Sequence, residues 1–454
     1  MIKKLLQGFL LLSFVAVAGG AAYNPSKPIS DSNPAPSAIV VGDNPSLDAA
    51  GRFRESAPYG IFEDKRLYGL GTGIWEDVAS GVSSVSTFNS NEATISLTVG
   101  TGANDYLYRQ TRYFPYVSGK SQLIKITLID GAGVANTAKR AGYFDDKNGM
   151  YFQQLGNTLS MCVRTSTSGS PVDTCYPQSA WNLDRLDGSC NATTSNCSAT
   201  ANPSGLTIDA SKAELLVIDY LWQGVGRIRF GFQINGITYY VHQVLNANNI
   251  SVPFIGTPSL PVRYEIRNVG TSAGGTMKQI CVSVESEGGY TLPGYEFTAA
   301  NAASSVSITT RAPVLAIRLA NTFKGKENRK IVRILHSSYR AATNDAFCEL
   351  VHMHFPVTAV GGTWLPVNND SAVEYNTGLT SVTSAISHVI DDNYISAGTG
   401  NTSSSLSSAL DWINYHGLLS QNAASTGSQM FVVFCTSMSN ISLVSAELNW
   451  IEAE

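Results

Sequence analysis

Asp184 and Asp187 in WNLDRLDG (181–188) are two closely spaced carboxylates. Paired carboxyls about 5 to 9 Å apart across a cleft cleave glycosidic bonds, one as acid and one as base or nucleophile. The same residues also read as a turn in which each aspartate accepts backbone amides, with Trp181 packing beneath. His352 and His354 in LVHMHF share one face of a strand, and such a pair binds zinc or copper when a neighbouring strand adds a third ligand. His336, His388 and His416 lie in the same block, but no carboxylate or cysteine stands at ligand spacing. A polar or hydrogen-bonded strand face is the preferred reading. Asp145, Asp146 and Asn148 in FDDKNG gather oxygens in one tight turn. Calcium takes six to eight oxygens, more than this loop supplies alone, and Asx side chains satisfy turn backbones without an ion. The expectation is therefore no catalytic residue and no cofactor, with calcium at Asp145, Asp146 and Asn148 and zinc at His352 and His354 as the metal alternatives. No serine sits in the strand-to-helix elbow that a nucleophile of the hydrolase type needs.

The stretch IDYLWQGVGRIRFGFQINGITYYVHQV (218–244) is glycine-rich, basic and aromatic. A phosphate-binding glycine loop must open a helix whose N-terminus meets the phosphate. Here a strand pattern follows, so phosphate binding is rejected. Asn235-Gly236 marks a two-residue hairpin turn, because a type I′ turn needs positive φ at both positions. The implied register sets Ile234 against Ile237, Phe232 against Tyr239 and Phe230 against Val241, all on one face. Arg229, Gly231, Gln233, Thr238, Tyr240 and His242 fall on the other. Gly231 lies opposite Tyr240, where a side chain would strike the ring. Arg227 and Arg229 are expected on a solvated or salt-bridged face.

These residues must be positioned by β-structure. Of the 454 residues 43% are hydrophobic but only 14% charged, against roughly 25% in ordinary soluble proteins. Such a balance suits sheets with polar, uncharged outer faces. ATISLTV (93–99) and SQLIKITLID (121–130) alternate with period two, and AELLVIDYLW (213–222) reads as a strand buried on both faces. GMYFQQLGNTLSMCVRTS reads as a hairpin around Gly156-Asn157, and only SSLSSALDWINY (404–415) hints at a helix. The predicted fold is all-β, with two β-sandwich or jelly-roll-like domains over 49–300 and 313–454, a linker at 301–312, and an extended Pro/Ser/Asn-rich arm at 23–48. Net charge is -4 without a basic block, which excludes an array of phosphate neutralisers and hence nucleic acid as a partner.

Residues 1–22 combine Lys3-Lys4, an apolar run and small residues, the layout of a secretory signal peptide; the alternative is a hydrophobic N-terminal peg. Two cysteine pairs fit an oxidising compartment: Cys162 with Cys175 across a hairpin, and Cys190 with Cys197 around a polar loop. Cys281, Cys348 and Cys435 sit in apolar runs and are expected as buried thiols.

GYFDDKNGMYF (142–152), WNLDRLDG (181–188), IDYLWQGVGRIRFGF (218–232), TPSLPVRYEI (257–266) and the closing LNW (448–450) resemble a family of β-rich virion structural proteins of tailed bacteriophages. The resemblance covers about 49–454 and is strongest over 105–290. It implies a non-enzymatic particle component or surface-display protein that self-associates as a homo-oligomer, a trimer being usual in such particles. Other particle proteins and a cell-surface glycan are the implied partners. Localisation is then the virion or the extracellular surface. The signal-like N-terminus and the Cys190–Cys197 loop depart from the family pattern and leave room for an exported adhesin. The alternatives are a lectin-like adhesin, or a glycan hydrolase using Asp184 and Asp187.

Overall fold

A computed structural model describes residues 45–54, 57–189, 201–289, 293–301, 305–398, 402–405 and 418–453. The signal or peg at 1–22, most of the arm, the Cys190–Cys197 loop and the helix hint after Ser405 lie outside the described residues. Among the described residues the regular elements are strands apart from a 3-10 turn at Gln178–Ala180, and every strand pairing is antiparallel. The chain is all-β, as the period-two pattern and low charge require.

An eight-stranded sheet orders its strands as Ile237–Val244, Ile228–Ile234, Glu214–Tyr220, Ser121–Ile129, Gly275–Glu287, Thr94–Val99 and Val85–Asn89, with Tyr59–Lys65 also on Gly275–Glu287. A seven-stranded sheet runs Val172–Pro177, Thr158–Thr165, Gly149–Leu155, Thr137–Phe144, Val262–Asn268, Tyr106–Thr111 and Trp75–Ser80. Alternate residues of both sheets meet in one core. Ile124, Ile126, Leu216, Phe230 and Phe232 come from the first sheet, and Tyr143, Phe152, Met161, Tyr264 and Ile266 from the second. Each such side chain stabilises the sandwich by about 1.5 to 3 kcal/mol when fully buried.

Two six-stranded sheets build a second sandwich. In one, Ser442–Ala453 pairs with Gly294–Ala300 and Ile331–Ala341; in the other, Met430–Ser437 lies between Ala312–Leu319 and Ala346–Met353. Trp450, Ile334, Leu350, Phe431 and Val433 fill its core. Val306–Ile308, inside the stretch expected as a linker, is a short strand on Ser442–Ala453. Its Val-Ser-Ile alternation lets Ile308 reach the core while Ser307 stays outward.

The hairpin at 235–236 forms as read, with φ of 52° at Asn235 and 81° at Gly236. Ile234–Ile237, Phe232–Tyr239 and Gly231–Tyr240 pair as expected. The register then slips, so that Phe230 opposes His242 and not Val241. This bulge reverses the parity of the strand. Val241 still enters the core, but after it Val244 packs on the core and the His242 ring stacks on Tyr176 at 4.3 Å. Burial lowers the His242 imidazole to about 4, and its Nδ1 accepts the Asn182 amide at 3.3 Å.

Candidate functional site

The outer face of the seven-stranded sheet gathers the densest set of charged and aromatic side chains. Strand register lines them up in rows. One row crosses all seven strands as Glu76, Gln110, Arg263, Gly142, Tyr151, Cys162 and Cys175. The next reads Val78, Tyr108, Glu265, Arg140, Gln153, Ser160 and Pro177. Arg164 and Asp173 pair in the row above, beside Gly149 and Phe144, and Arg267 and Tyr106 in the row below. The rings of Phe144 and Tyr151 form a floor. Guanidinium groups lie over it: Arg164 over Phe144 and Tyr151 at 5.6 and 5.4 Å, Arg140 over Tyr151 at 5.4 Å, and Arg263 over Phe144 at 5.4 Å and also over Tyr108 at 3.5 Å.

The carboxylates are fixed by this layer. Glu265 takes Arg140 Nη1 at 2.8 Å, Arg263 Nε at 3.4 Å and Arg267 Nη1 at 3.6 Å. Burial alone would raise its carboxyl, but Arg263, Arg140, Arg267 and Arg164 together hold it at about 2. Asp173 grips Arg164 with both oxygens, at 2.7 and 3.0 Å. A general acid or base works best when its pKa is near the working pH. Glu265, held that far below the ordinary range, stays ionised at neutral pH. The layer meets solvent through Asp146 (63% exposed side chain), Arg267 (43%) and the edge strand that carries Asp173.

The FDDKNG turn closes one end of this face. Asp145 Oδ1 accepts the amides of Lys147 and Asn148, both at 2.7 Å, and its Oδ2 accepts Tyr113 Oη at 3.1 Å and Arg329 at 3.4 Å. Asp146 pairs with Arg263 at 2.7 Å, and Asn148 Oδ1 accepts the Gly256 amide at 2.8 Å. Both Asp145 oxygens, Asp146 Oδ1 and Asn148 Oδ1 are thus each engaged by a protein donor. The turn joins the two sandwiches: Arg329 stacks on Tyr113 at 3.9 Å, Lys147 meets Glu327 at 2.8 Å, and Glu76 accepts the Ala423 amide at 2.7 Å.

A second charged cluster lies on the eight-stranded sheet. Asp219, fully buried, accepts Arg229 at 2.5 Å, Arg54 at 2.6 Å, Tyr240 Oη at 2.9 Å and the Ala49 amide at 3.2 Å. Arg229 also donates to the Leu47 carbonyl and lies over Tyr240 at 4.1 Å. Arg54 bridges on to Glu287 at 2.5 Å. The segment from Leu47 to Arg54 is clamped by this cluster. Of the two expectations for Arg229, a solvated or a salt-bridged face, the salt-bridged one holds and the solvated one is corrected: its side chain is 0% exposed and paired with Asp219. Asp219 and Tyr240 lie in the same stretch, but the Leu47 carbonyl that covers it comes from 182 residues away and carries no local signature. Gly231, between Arg229 and the turn, is needed for space. A Cβ there would stand 2.6 Å from the Tyr239 carbonyl oxygen and 3.1 Å from the Tyr240 ring.

The remaining expected site residues are not brought together as reacting groups. Asp184, 4% exposed, accepts the amides of Leu186 and Ser204, each at 3.0 Å, and Asp187 accepts the Ser189 amide at 2.9 Å. Both carboxylates cap turns. His352 and His354 are buried, their rings 4.2 Å apart, with Gln429 bonded to both at 3.2 and 3.4 Å. His388 joins by ring contact at 5.1 Å. Among the described residues no group of three or more His, Cys, Asp or Glu side chains has the geometry to hold a metal ion.

The Cys162–Cys175 disulfide forms between directly opposed residues, their Cα atoms 4.1 Å apart. Cys348 and Cys435 were expected as thiols; they form a second cross-strand disulfide inside the second core, also with Cα atoms 4.1 Å apart. Their separation of 87 residues hides the pairing from the sequence. Cys281, expected buried, is an exposed free thiol, because a bulge between Gln279 and Val282 turns it outward. Disulfides of this kind belong to an oxidising compartment. Among the described residues no helix is long and apolar enough to cross a membrane.

The chain matches no family model and no curated protein. Solved structures similar to part of it include an endo-1,3-beta-glucanase from Streptomyces sioyaensis, at 12% identity and a TM-score of 0.32, covering 51% of this chain and 98% of that one. A glycosyl hydrolase family 16 protein from Mycobacterium smegmatis gives 10% identity and a TM-score of 0.31, covering 50% and 99%. The carbohydrate recognition domain of Emp47p gives 8% identity and a TM-score of 0.31, covering 51% and 99%. Likeness at this level is a shared use of β-strands and carries no activity across.

Proposed function

We propose that this chain is a non-catalytic structural or surface-display protein of a virus-like particle of the phage type, which presents rigid β-sandwiches outward and contacts a host surface. The observation that carries the reading is the charge lattice around Glu265. Its acid holds its charge across the physiological range, and its side chains are spent on one another. A buried lattice of this kind costs desolvation and gives shape in return. Cross-strand disulfides in both sandwiches, and the clamp on 47–54, add to the same rigidity. The motifs that resemble the phage family supply these parts: GYFDDKNGMYF and TPSLPVRYEI build the lattice, and IDYLWQGVGRIRFGF builds the clamp.

The rival is glycan hydrolysis through Asp184 and Asp187. A panel of glycans incubated with the purified chain separates the two. The structural reading expects no turnover, with or without binding. Turnover that Asp184→Asn abolishes, in a variant that keeps the wild-type melting point, would replace it with the hydrolase.

A further inference from the structure

One end of the first sandwich contains polar groups where its core should be apolar. Asp130 follows the strand Ser121–Ile129 on the face that carries Ile124, Ile126 and Leu128 inward. Glu214 and Gln279 flank Leu128 on the two neighbouring strands. From the facing sheet come Lys139 and Gln154, themselves register partners. Asp130 is 1% exposed and Gln279 0%. Neither oxygen of Asp130 has a hydrogen-bond partner, nor has either amide atom of Gln279, nor Gln154 Oε1. Lys139 does not pair with the carboxylate. Its ammonium donates to the backbone carbonyls of Asp130 and Ala132, while Gln154 Nε2 donates to the Gly131 carbonyl at 3.1 Å.

The unpartnered atoms are four acceptor oxygens and one amide donor. Buried polar groups are nearly always satisfied, and each orphan costs about 1 to 3 kcal/mol. The unpartnered acceptors outnumber the unpartnered donor group. A proton on Asp130 converts one orphan acceptor into a donor and removes a buried charge.

We propose that Asp130 is a proton-binding site that locks this end of the sandwich: the folded chain holds the carboxyl as its neutral acid, and release of the proton to solvent loosens the contacts of Lys139 and Gln154 with residues 130–132. The surrounding charges agree. Burial raises Asp130 to about 7 against the pull of Lys139. Glu214 is raised to about 7 by burial, with Asp209 and Asp130 adding and Lys212 opposing. Burial lowers Lys139, and Asp130 acts against that. Lys139 from the facing sheet, Glu214 from the neighbouring strand, and Asp209 and Lys212 from the loop before it are the ionisable groups around the chamber. A carboxyl raised on folding stabilises the fold most below its unfolded value, and that stability is lost as pH rises through the folded value.

The test is infrared difference spectroscopy on the full chain, with thermal melts from about pH 5 to about pH 8. The wild type is expected to show the carbonyl stretch of buried carboxylic acid near pH 6, with one component of it lost in Asp130→Asn and kept in the glutamate variants. Glu214→Gln and Glu287→Gln serve as controls that retain the Asp130 band. The wild-type melting point is expected to fall across the range and to fall less in Asp130→Asn. Absence of the acid band in the wild type overturns the proposal, whatever the variants do. So does calcium chloride stabilising the wild type but not Asp130→Asn, which would make the chamber a cation site.

Discussion

Asp219 and Asp130 are both aspartates of the eight-stranded sheet region, and both are almost fully buried. Their surroundings are opposite. Asp219 sits on the outer face and receives two guanidinium groups, a tyrosine hydroxyl and a backbone amide. Asp130 points between the sheets and receives no donor. Burial alone therefore does not decide what a carboxylate does. Donors that arrive from distant segments turn one aspartate into a clamp; their absence leaves the other to hold a proton.

The largest effect that would break this contrast is at Arg229. Arg229→Ala leaves Asp219 short of one cation in a dry site, and losing one partner of a buried pair costs about 3 to 5 kcal/mol. Denaturant melts check this; a loss under about 1 kcal/mol, typical of an exposed pair, would mean that Arg54 alone satisfies Asp219. Next is Gly231→Val. Overpacking costs about 1 to 3 kcal/mol, and here the first obstacle is the Tyr239 backbone, which yields less readily than a ring. A variant as stable as the wild type would show that the strand pair can separate without penalty.

Tyr240→Phe removes one donor from Asp219 while keeping the ring under Arg229. A hydrogen bond to a charged group contributes about 1.5 to 3 kcal/mol, so the expected loss is comparable with the glycine effect. The smallest effect is at Arg267, on the rim of the charge lattice and 43% exposed. Arg267→Ala is expected to cost under about 1 kcal/mol, and a larger loss would show that the rim supports the lattice around Glu265.

The pH profile sharpens the same contrast. Glu265, held at about 2, contributes stability above the ordinary glutamate range that is lost only as pH falls towards 2. Asp130, Glu214 and Glu287, each raised to about 7, contribute stability in acid that is lost as pH rises through neutrality. Stability is therefore expected to be highest in mild acid, between these windows. A melting point that climbs steadily from about pH 5 to about pH 8 would contradict the assignment.

The strands and the tight hairpin could be read directly, because period two and the Asn235-Gly236 pair are local properties. The bulge at Val241 could not, since no residue type marks it, and it turned His242 and Val244 to the core side. Arg229 was misjudged for a related reason. Its alternation placed it on the outer face correctly, but its burial depends on Leu47 and Arg54, more than 160 residues away. The lattice was invisible for want of strand order. Only when Val262–Asn268 lies between Thr137–Phe144 and Tyr106–Thr111 does Glu265 meet Arg140. The Asp184 and Asp187 turn, by contrast, was readable as a turn, because Asx capping is encoded within a few residues.

The structural reading is tested most directly by quantitative mass spectrometry of purified virus-like particles from a source that produces this chain. It predicts the chain in fixed stoichiometry with the other particle proteins, with the Cys162–Cys175 and Cys348–Cys435 bonds intact. Absence of the chain from intact particles, together with its recovery as a free protein that turns over glycans, would contradict it.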